Sequence, residues 1–285
     1  MLQFNDIGVI GAGQMGSGIA QVAAHAGASV VVTDLDEARL DVGRKAVSSS
    51  LARMVKKEKI TEVQQHETLE RIKWSTEISS HSDRGLVVEA INELETLKIS
   101  VLIAVEEVCS SQAILASNTS SISITKLGGN LKRPKQFIGM HFMNPVPMMK
   151  LVEVIRGAAT SDATCESVTT FAGQLGKTTT ISQDYPGFLS NRILMPMINE
   201  AFFALMEGIG SAQDIDTTMK LGMGHPMGPL TLADLIGLDT CLSIMEILHN
   251  EIGDSKYRPC PLLRRYVAAN WLGRKSGRGV YEYES

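Results

Sequence analysis

The sequence predicts an α/β protein: a doubly wound, mostly parallel sheet, followed by an all-helical C-terminal domain. Over the first half of the chain, short apolar runs alternate with longer amphipathic stretches, a pattern typical of βαβ units. A glycine-rich segment separates the first apolar run from the first helical stretch. From Phe188 onward only helical patterns remain, and glycine and proline interrupt them. We therefore expect two domains, residues 1–185 and 186–285.

The predicted elements follow one another in the order that βαβ units require. The apolar runs that predict strands are residues 7–10, 28–33, 85–90, 113–117, 137–141, 151–155 and 177–182. The stretches with helical periodicity are residues 14–25, 36–57, 95–109, 162–174, 192–207 and 230–252. The last two of these lie in the predicted helical domain.

Length and composition exclude several classes of protein. The 285 residues, 44% of them hydrophobic and 20% charged, can form a sizeable core without metal or disulfide staples. The net charge of −4 argues against general binding to nucleic acid. No apolar run reaches ~18 residues, and the strand pattern begins too early for a signal peptide. The four cysteines form no C-x-x-C pair and indicate reduced thiols. We expect a cytoplasmic protein with no membrane or nucleic-acid partner.

A dinucleotide-binding fingerprint lies at the first predicted strand-to-helix turn. Gly11-Ala12-Gly13-Gln14-Met15-Gly16 has the G-x-G-x-x-G spacing, which is specific only in such a context. Its glycines allow a tight turn, a close approach of the backbone to a pyrophosphate, and close packing of helix on strand. Asp34 ends the second predicted strand, where a carboxylate accepts hydrogen bonds from ribose hydroxyls and repels a 2′-phosphate. The sequence therefore predicts a Rossmann-type domain that binds NAD in preference to NADP.

His141 is the candidate general base. A chain reversal centred on Pro147 places His141 opposite Glu153, because each lies six residues from that centre. A carboxylate beside an imidazole fixes its tautomer and stabilises the imidazolium, which suits proton transfer during alcohol oxidation. The sequence offers no comparable setting to three other histidines, which we expect at the surface: His66, His81 and His249.

Five segments carry a family resemblance that runs nearly end to end. They are GVIGAGQMGSGIA (8–20), ASNTSS (116–121), GMHFMNPVPMMKLVEVI (139–155), DYPGFLSNRIL (184–194) and GRKSGRGVYEY (273–283). In these segments the chain resembles the short L-3-hydroxyacyl-CoA dehydrogenases, and within them the 3-hydroxybutyryl-CoA dehydrogenase branch. The resemblance implies reversible, NAD-dependent oxidation of a 3-hydroxyacyl-CoA to the 3-ketoacyl-CoA. It also implies a homodimer formed through the helical domain.

The resemblance assigns roles to particular residues. It implies that His141 is the general acid/base, that Glu153 orients it, and that Ser120 and Asn191 complete a polar cluster around the substrate oxygen. A second set corresponds to cofactor contacts in the family, in addition to Ser120 and the fingerprint: Glu93, Lys98, Asn144 and Lys275. Two residues spaced seven apart on the long second helix correspond to contacts with the coenzyme A part of the substrate: Ser50 and Lys57.

Two other functions remain open from the residues alone. The first is a dehydrogenase of free 3-hydroxy acids, of the 6-phosphogluconate type, in which a K-x-x-x-N motif supplies a lysine base. Here Gly187 stands four residues before Asn191, so that lysine is missing. The second is a non-catalytic NAD(H)-binding sensor or structural protein, which would have no need of His141 with Glu153. Acyl-chain length, physiological direction and pathway are not determined by the sequence.

Overall fold

The computed structural model describes residues 1–284, which form two compact units. The first unit ends at Tyr185 and the second begins at Pro186. The strands all belong to the first unit: β1 (Asp6–Ile10), β2 (Ser29–Thr33), β3 (Ile72–Ser75), β4 (Leu86–Glu89), β5 (Ile114–Ser117), β6 (Phe137–Phe142), β7 (Leu151–Arg156) and β8 (Thr178–Gln183). Its helices are α1 (Gln14–His25), α2 (Glu37–Lys56), α3 (Glu62–Glu70), α4 (Glu95–Val108), α5 (Ile124–Gly128) and α6 (Asp162–Gln174).

The strands of the first unit form one sheet in the order β3-β2-β1-β4-β5-β6-β7-β8. Neighbouring strands are parallel except β6 and β7, which pair antiparallel. The order 3-2-1-4-5-6 is that of a doubly wound dinucleotide-binding fold, which confirms the predicted fold class. Chain order reverses between β1 and β4, so a crevice is expected at the carboxyl ends of these two strands.

The core of the first unit explains why these runs become strands. β1, β2 and β4 are almost wholly buried because helices cover both faces of a parallel sheet. Small residues of α1 allow that helix to lie close against the sheet, among them Ala20, Ala23 and Ala24, each 0% exposed. The crevice is thus bordered by rigid strand ends.

Among its described residues, the second unit contains helices joined by loops, and its only β pairings are isolated bridges near the chain end. Its helices are α7 (Ser190–Met206), α8 (Ala212–Thr217), α9 (Pro229–Ile236), α10 (Leu238–Ile252) and α11 (Pro261–Ala268). They enclose a separate core that includes Met195, Phe202, Met245 and Leu248, each at most 1% exposed. Within residues 1–284, no helix combines the length and the apolar character that crossing a membrane requires.

Two predictions of local structure were wrong, and some elements were not predicted. Residues 230–252 form two helices rather than one, because Gly237 between them has φ of +104°, which a continuous helix cannot contain. The edge strand β3 and helix α3 were not predicted; of the four β3 residues only Ile72 is buried, so the apolar signal is weak. His81 is 0% exposed and not a surface residue, since it packs against Gly8 and bonds to Thr33. Of the other two histidines expected at the surface, His66 is exposed and His249 is half-buried.

Candidate active site

The glycine-rich segment forms the turn between β1 and α1. Gly11 has φ of +103°, and a Cβ at this position would lie 2.6 Å from the carbonyl oxygen of Ala90. At Gly16 a Cβ would lie 1.8 Å from the carbonyl oxygen of Gly11, so only glycine lets α1 approach the turn this closely. A Cβ on Gly13, the N-cap of α1, would meet nothing within 4 Å. The start of the helix therefore opens onto free space.

The N-terminus of α1 suits a phosphate group. Among the described residues, no side chain caps this end, and the first turn contains no acidic residue. Its N–H groups and the positive end of the helix dipole therefore attract an anion. Gly13 lines two clefts, so a ligand can reach the helix end.

Asp34 lies just after β2, beside the glycine turn. Its carboxylate accepts hydrogen bonds from the backbone N–H of Ala12 and of Leu35, each at 2.7 Å. With Gly11 and Ile91 it lines a cleft of about 330 Å³. A carboxylate at the far side of a phosphate-binding turn fits the ribose of a dinucleotide. The residues present thus suit NAD.

His141 and Glu153 meet across the antiparallel pair β6–β7. They are direct register partners, as predicted from the reversal around Pro147. Nδ1 of His141 lies 2.8 Å from Oε2 of Glu153, and their side chains are 11% and 1% exposed. Because a carboxylate can only accept, Nδ1 carries the proton and proton exchange with a ligand falls to Nε2. The pair has the geometry of an oriented general base.

Ser120 and Glu93 form a second polar cluster, in the loops that follow β5 and β4. Oε1 of Glu93 accepts from the backbone N–H of Ser120 at 2.9 Å and from its hydroxyl at 3.3 Å. It also accepts from Thr119 Oγ1 at 2.6 Å. Although burial works to raise it, the pKa of Glu93 is lowered by the charge of Lys98 and by the hydrogen bonds from Thr119 and Ser120. This carboxylate therefore stays ionised and holds the Ser120 loop.

Lys98 is buried beside this cluster rather than on an open surface. Its side chain is 1% exposed, and Nζ lies 2.6 Å from Oε1 of Glu89 and 3.2 Å from Oε2 of Glu93. Within the described part of the chain, its ammonium is enclosed by protein oxygens.

A second cleft, of about 350 Å³, runs from the start of α1 to helix α2. Five residues predicted to contact ligands line it: Ala12, Gly13, Gln14, Ser50 and Asn144. Nε2 of Gln14 donates to Oδ1 of Asn144 at 3.1 Å. Lys57 is exposed one residue beyond the end of α2, and Met15 is half-buried against the core.

Two predicted site residues belong to the second unit. Asn191, in the first turn of α7, is 9% exposed. Lys275 lies in a short turn near the chain end, and its Nζ donates to Oδ2 of Asp239 at 2.7 Å. Burial works to raise the pKa of Asp239, but the hydrogen bond and charge of Lys275 leave it lowered.

Two residues with a place in these sites were not predicted. Arg53 lines the second cleft, and its position three residues after Ser50 on the same helix face was a usable signal. Glu89 is 0% exposed at the carboxyl end of β4. A carboxylate that ends an otherwise apolar strand, in Leu86-Val87-Val88-Glu89, could have been noticed.

Comparison with known proteins identifies the family. The family model described as "3-hydroxyacyl-CoA dehydrogenase, NAD binding domain" matches residues 6–185, and the model of the C-terminal domain of the same family matches residues 187–283. The chain is 53% identical over 283 residues to a probable 3-hydroxybutyryl-CoA dehydrogenase of Bacillus subtilis, covering 99% of each. It is 54% identical to a 3-hydroxybutyryl-CoA dehydrogenase of Bradyrhizobium diazoefficiens, covering 97% of this chain and 94% of the relative.

A solved structure agrees with these matches. The fold is similar to that of (S)-3-hydroxybutyryl-CoA dehydrogenase PaaH1 from Ralstonia eutropha, with a TM-score of 0.97 and 51% identity, covering 99% of this chain and 100% of that one. The glycine turn, the Asp34 cleft and the His141–Glu153 pair lie within the residues that the NAD-binding model matches. The chain therefore belongs to the 3-hydroxyacyl-CoA dehydrogenase family, with the NAD-binding domain and the C-terminal domain of that family both present.

Proposed function

We propose that the protein catalyses the reversible, NAD-dependent oxidation of an (S)-3-hydroxyacyl-CoA to the 3-ketoacyl-CoA, with 3-hydroxybutyryl-CoA and acetoacetyl-CoA as its substrate pair. The observation that carries the proposal is the 2.8 Å hydrogen bond between His141 and Glu153, in the same unit as a dinucleotide turn. The names of the relatives, at 53% and 54% identity, supply the substrate class.

In the proposed reaction, His141 moves the proton. Its Nε2 takes the hydroxyl proton of the substrate during oxidation and returns it to the carbonyl oxygen during reduction. Glu153 keeps Nδ1 protonated and offsets the positive charge of the imidazolium. Ser120 and Asn191 hydrogen-bond the substrate oxygen as it changes between hydroxyl and carbonyl. Bound NAD supplies the acceptor of the hydride.

The two ligands are assigned mainly to different clefts, which meet at Gly13, and a cofactor contact at Asn144 would extend into the second one. We assign NAD to the cleft that Asp34 lines, with the pyrophosphate at the turn of Gly11 to Gly16. Glu93, Asn144 and Lys275 are further proposed cofactor contacts. The coenzyme A part of the substrate is assigned to the face of α2 that carries Ser50 and Lys57.

We further propose a cytoplasmic homodimer built on the second unit. Large apolar side chains of this unit are exposed to water, among them Ile193 at 70%, Ile209 at 75% and Leu221 at 81%. A two-fold partner that presents the same surface would cover them, and such dimers are the commonest assembly. The cysteines support a reducing compartment, since all four are free and buried.

The direct test is oxidation of NADH by acetoacetyl-CoA, with the His141→Gln variant beside the wild type. Loss of general acid–base catalysis should lower kcat by roughly 10²–10⁴-fold. NADH affinity should be unchanged, because the glycine turn does not involve β6. The matched control is His66→Gln, an exposed histidine of the same unit. A wild type that leaves NADH unoxidised, or a variant with normal kcat, would contradict the proposal.

A further inference from the structure

A buried ion pair that takes no part in the proposed proton transfer lies at the carboxyl end of β4. Glu89, the last residue of the strand, is 0% exposed, and Lys98 of α4 is 1% exposed. Nζ of Lys98 lies 2.6 Å from Oε1 of Glu89. Removing two charges from water is costly, so a buried pair alone is weak evidence of a contribution to stability. The contacts that the pair makes indicate what it does.

The first contacts reach the wall of the NAD cleft. Oε1 of Glu89 accepts from the backbone N–H of Ile91 at 2.7 Å, and Nζ of Lys98 donates to the carbonyl oxygen of Ile91 at 3.1 Å. Both backbone polar groups of Ile91 are thus bound by the ion pair. Ile91 lines the same cleft as Gly11 and Asp34, so the pair fixes one wall of that cleft.

The second contacts reach the Ser120 loop by two routes. Oε2 of Glu89 accepts from the hydroxyl of Ser117 at 2.6 Å, and Ser117 Oγ in turn accepts from the N–H of Thr119 at 3.2 Å. On the other side, Lys98 lies 3.2 Å from Glu93, whose carboxylate holds Ser120. The ion pair therefore joins the cleft wall and the Ser120 loop into one hydrogen-bonded network.

We infer that Glu89 is a positioning residue, which acts through Lys98 to hold the Ile91 wall of the NAD cleft and the Glu93–Ser120 loop in one arrangement. The inference rests on the proposed function for the roles of that cleft and of Ser120. An ionised carboxylate is required because Glu89 accepts three hydrogen bonds, one of them from an ammonium. A glutamine at this position has one acceptor oxygen and leaves Lys98 drawn toward Glu93 alone.

The test compares Glu89→Gln with the double variant Glu89→Gln/Lys98→Met, measuring the NADH dissociation constant by fluorescence titration, kcat, and Tm. We expect Glu89→Gln to weaken NADH binding and to lower kcat, each by roughly tenfold, because the Ile91 wall and the Ser120 loop lose a shared support. A positioning group displaced by about 1 Å can cost ~10²-fold in rate. It should also lower Tm, because Lys98 keeps a buried charge. The double variant removes that charge and should recover Tm, since neutral replacements of buried pairs are often tolerated. Its NADH affinity and kcat should stay low.

The role of Glu89 is decided by whether the double variant recovers Tm without recovering NADH affinity. If the double variant regains wild-type NADH affinity and kcat together with Tm, the pair is only structural and the inference is overturned. The matched control is Glu106→Gln, a buried carboxylate on α4 that instead holds the backbone N–H groups of Lys132 and Arg133. An equal loss of NADH affinity in that variant would also overturn the inference. The titration needs no acyl-CoA, so an inactive wild type would refute the proposed function while the role of Glu89 is still decided.

Discussion

A single buried carboxylate can decide which nitrogen of an imidazole exchanges a proton. Glu153 is 1% exposed and bonds Nδ1 of His141 across two strands. The charge of the carboxylate, and not only its shape, matters for such a base, because it offsets the imidazolium that forms during the reaction. The contribution of that charge can be measured through the dependence of rate on pH.

We expect Glu153→Gln to move the acidic limb of the kcat/KM profile for 3-hydroxybutyryl-CoA oxidation to lower pH, and to reduce the plateau. Glutamine keeps a hydrogen-bond acceptor but removes the charge that stabilises imidazolium, so His141 loses its proton more readily while being held less well. Steady-state kinetics from pH 5 to pH 9 measure this. A profile identical to that of the wild type would show that Glu153 exerts no electrostatic effect on the base.

At the same scale, Asp34 is proposed to set the preference for NADH over NADPH. We expect Asp34→Ser to narrow the preference for NADH, because the variant no longer repels a 2′-phosphate and loses ribose hydrogen bonds. The measurement is the ratio of kcat/KM for the two cofactors. Asp36→Ser is the matched control: Asp36 caps α2 by accepting from the N–H of Arg39, and serine also serves as an N-cap. Equal kcat/KM for the two cofactors in the wild type would mean that Asp34 does not contact the ribose.

His81 links pH to stability. Burial, and then the charge of Arg84, lower the pKa of His81 from 6.5 to about 4. Between these values the unfolded chain binds a proton that the folded chain does not, so stability falls as the pH falls from about 6.5 to about 4. The loss should reach ~3 kcal/mol at 1.36 kcal/mol per pH unit.

Urea unfolding at several pH values tests this expectation. His81→Gln should lower stability at pH 7.5 but flatten its dependence on pH below 6.5, since no buried imidazole remains to be protonated. His66→Gln, at an exposed position, should leave the slope unchanged. An unaltered slope in His81→Gln would show that other groups cause the acid sensitivity.

At the scale of elements, helix α2 is proposed to bind the coenzyme A part of the substrate. It buries four residues against the first unit, Leu40, Gly43, Val47 and Leu51, and it turns the face of Ser50 and Arg53 toward the second cleft. Lys57 follows at the end of this helix, where basic side chains remain in water. A phosphate of coenzyme A bound at this end would therefore form a screened ion pair.

We expect Lys57→Ala to raise KM for acetoacetyl-CoA by about two- to fivefold with little change in kcat, the size and kind of effect typical of an exposed ion pair that binds ground and transition states alike. The difference should shrink at high salt. The KM for a truncated thioester without the nucleotide phosphates should be unchanged by the substitution. Lys45→Ala, another exposed lysine of α2, is the control. An equal KM effect with the truncated substrate would assign Lys57 another role.

At the scale of the whole molecule, the second unit is proposed to form the homodimer interface. We expect the full-length protein to be a dimer at micromolar concentration, and Ile193→Glu to convert it to a monomer, because a charge would be buried at the interface. Light scattering measures the mass. Val63→Glu, which is 66% exposed in the first unit, should leave the dimer intact. A wild-type protein that is monomeric at this concentration would contradict the proposed homodimer.

The sequence by itself determined the fold class, the glycine turn, the order of most elements and the pairing of His141 with Glu153. These depend on local signals: apolar runs buried on both faces, glycines that only a tight turn needs, and a reversal whose centre can be counted. The edge strand β3 was not predicted, because a strand that pairs on one side only is partly exposed and has a weak apolar pattern. The break between α9 and α10 at Gly237 was not predicted, because an isolated glycine is tolerated in a helical pattern. Only its φ of +104° in the structure reveals the boundary.

Only the tertiary structure decided the environment of particular polar residues. His81 carries no sequence signal of burial, yet the packing of Gly8 and Thr33 encloses it. Lys98, which the resemblance assigns to the cofactor site, is enclosed by the carboxylates of Glu89 and Glu93. The physical reason is that burial and charge pairing depend on how the folded chain places its polar groups. His81 bonds Thr33, 48 residues away in sequence, and Lys98 pairs with Glu89, nine residues away, across a strand-to-helix connection. Periodicity and spacing encode neither contact.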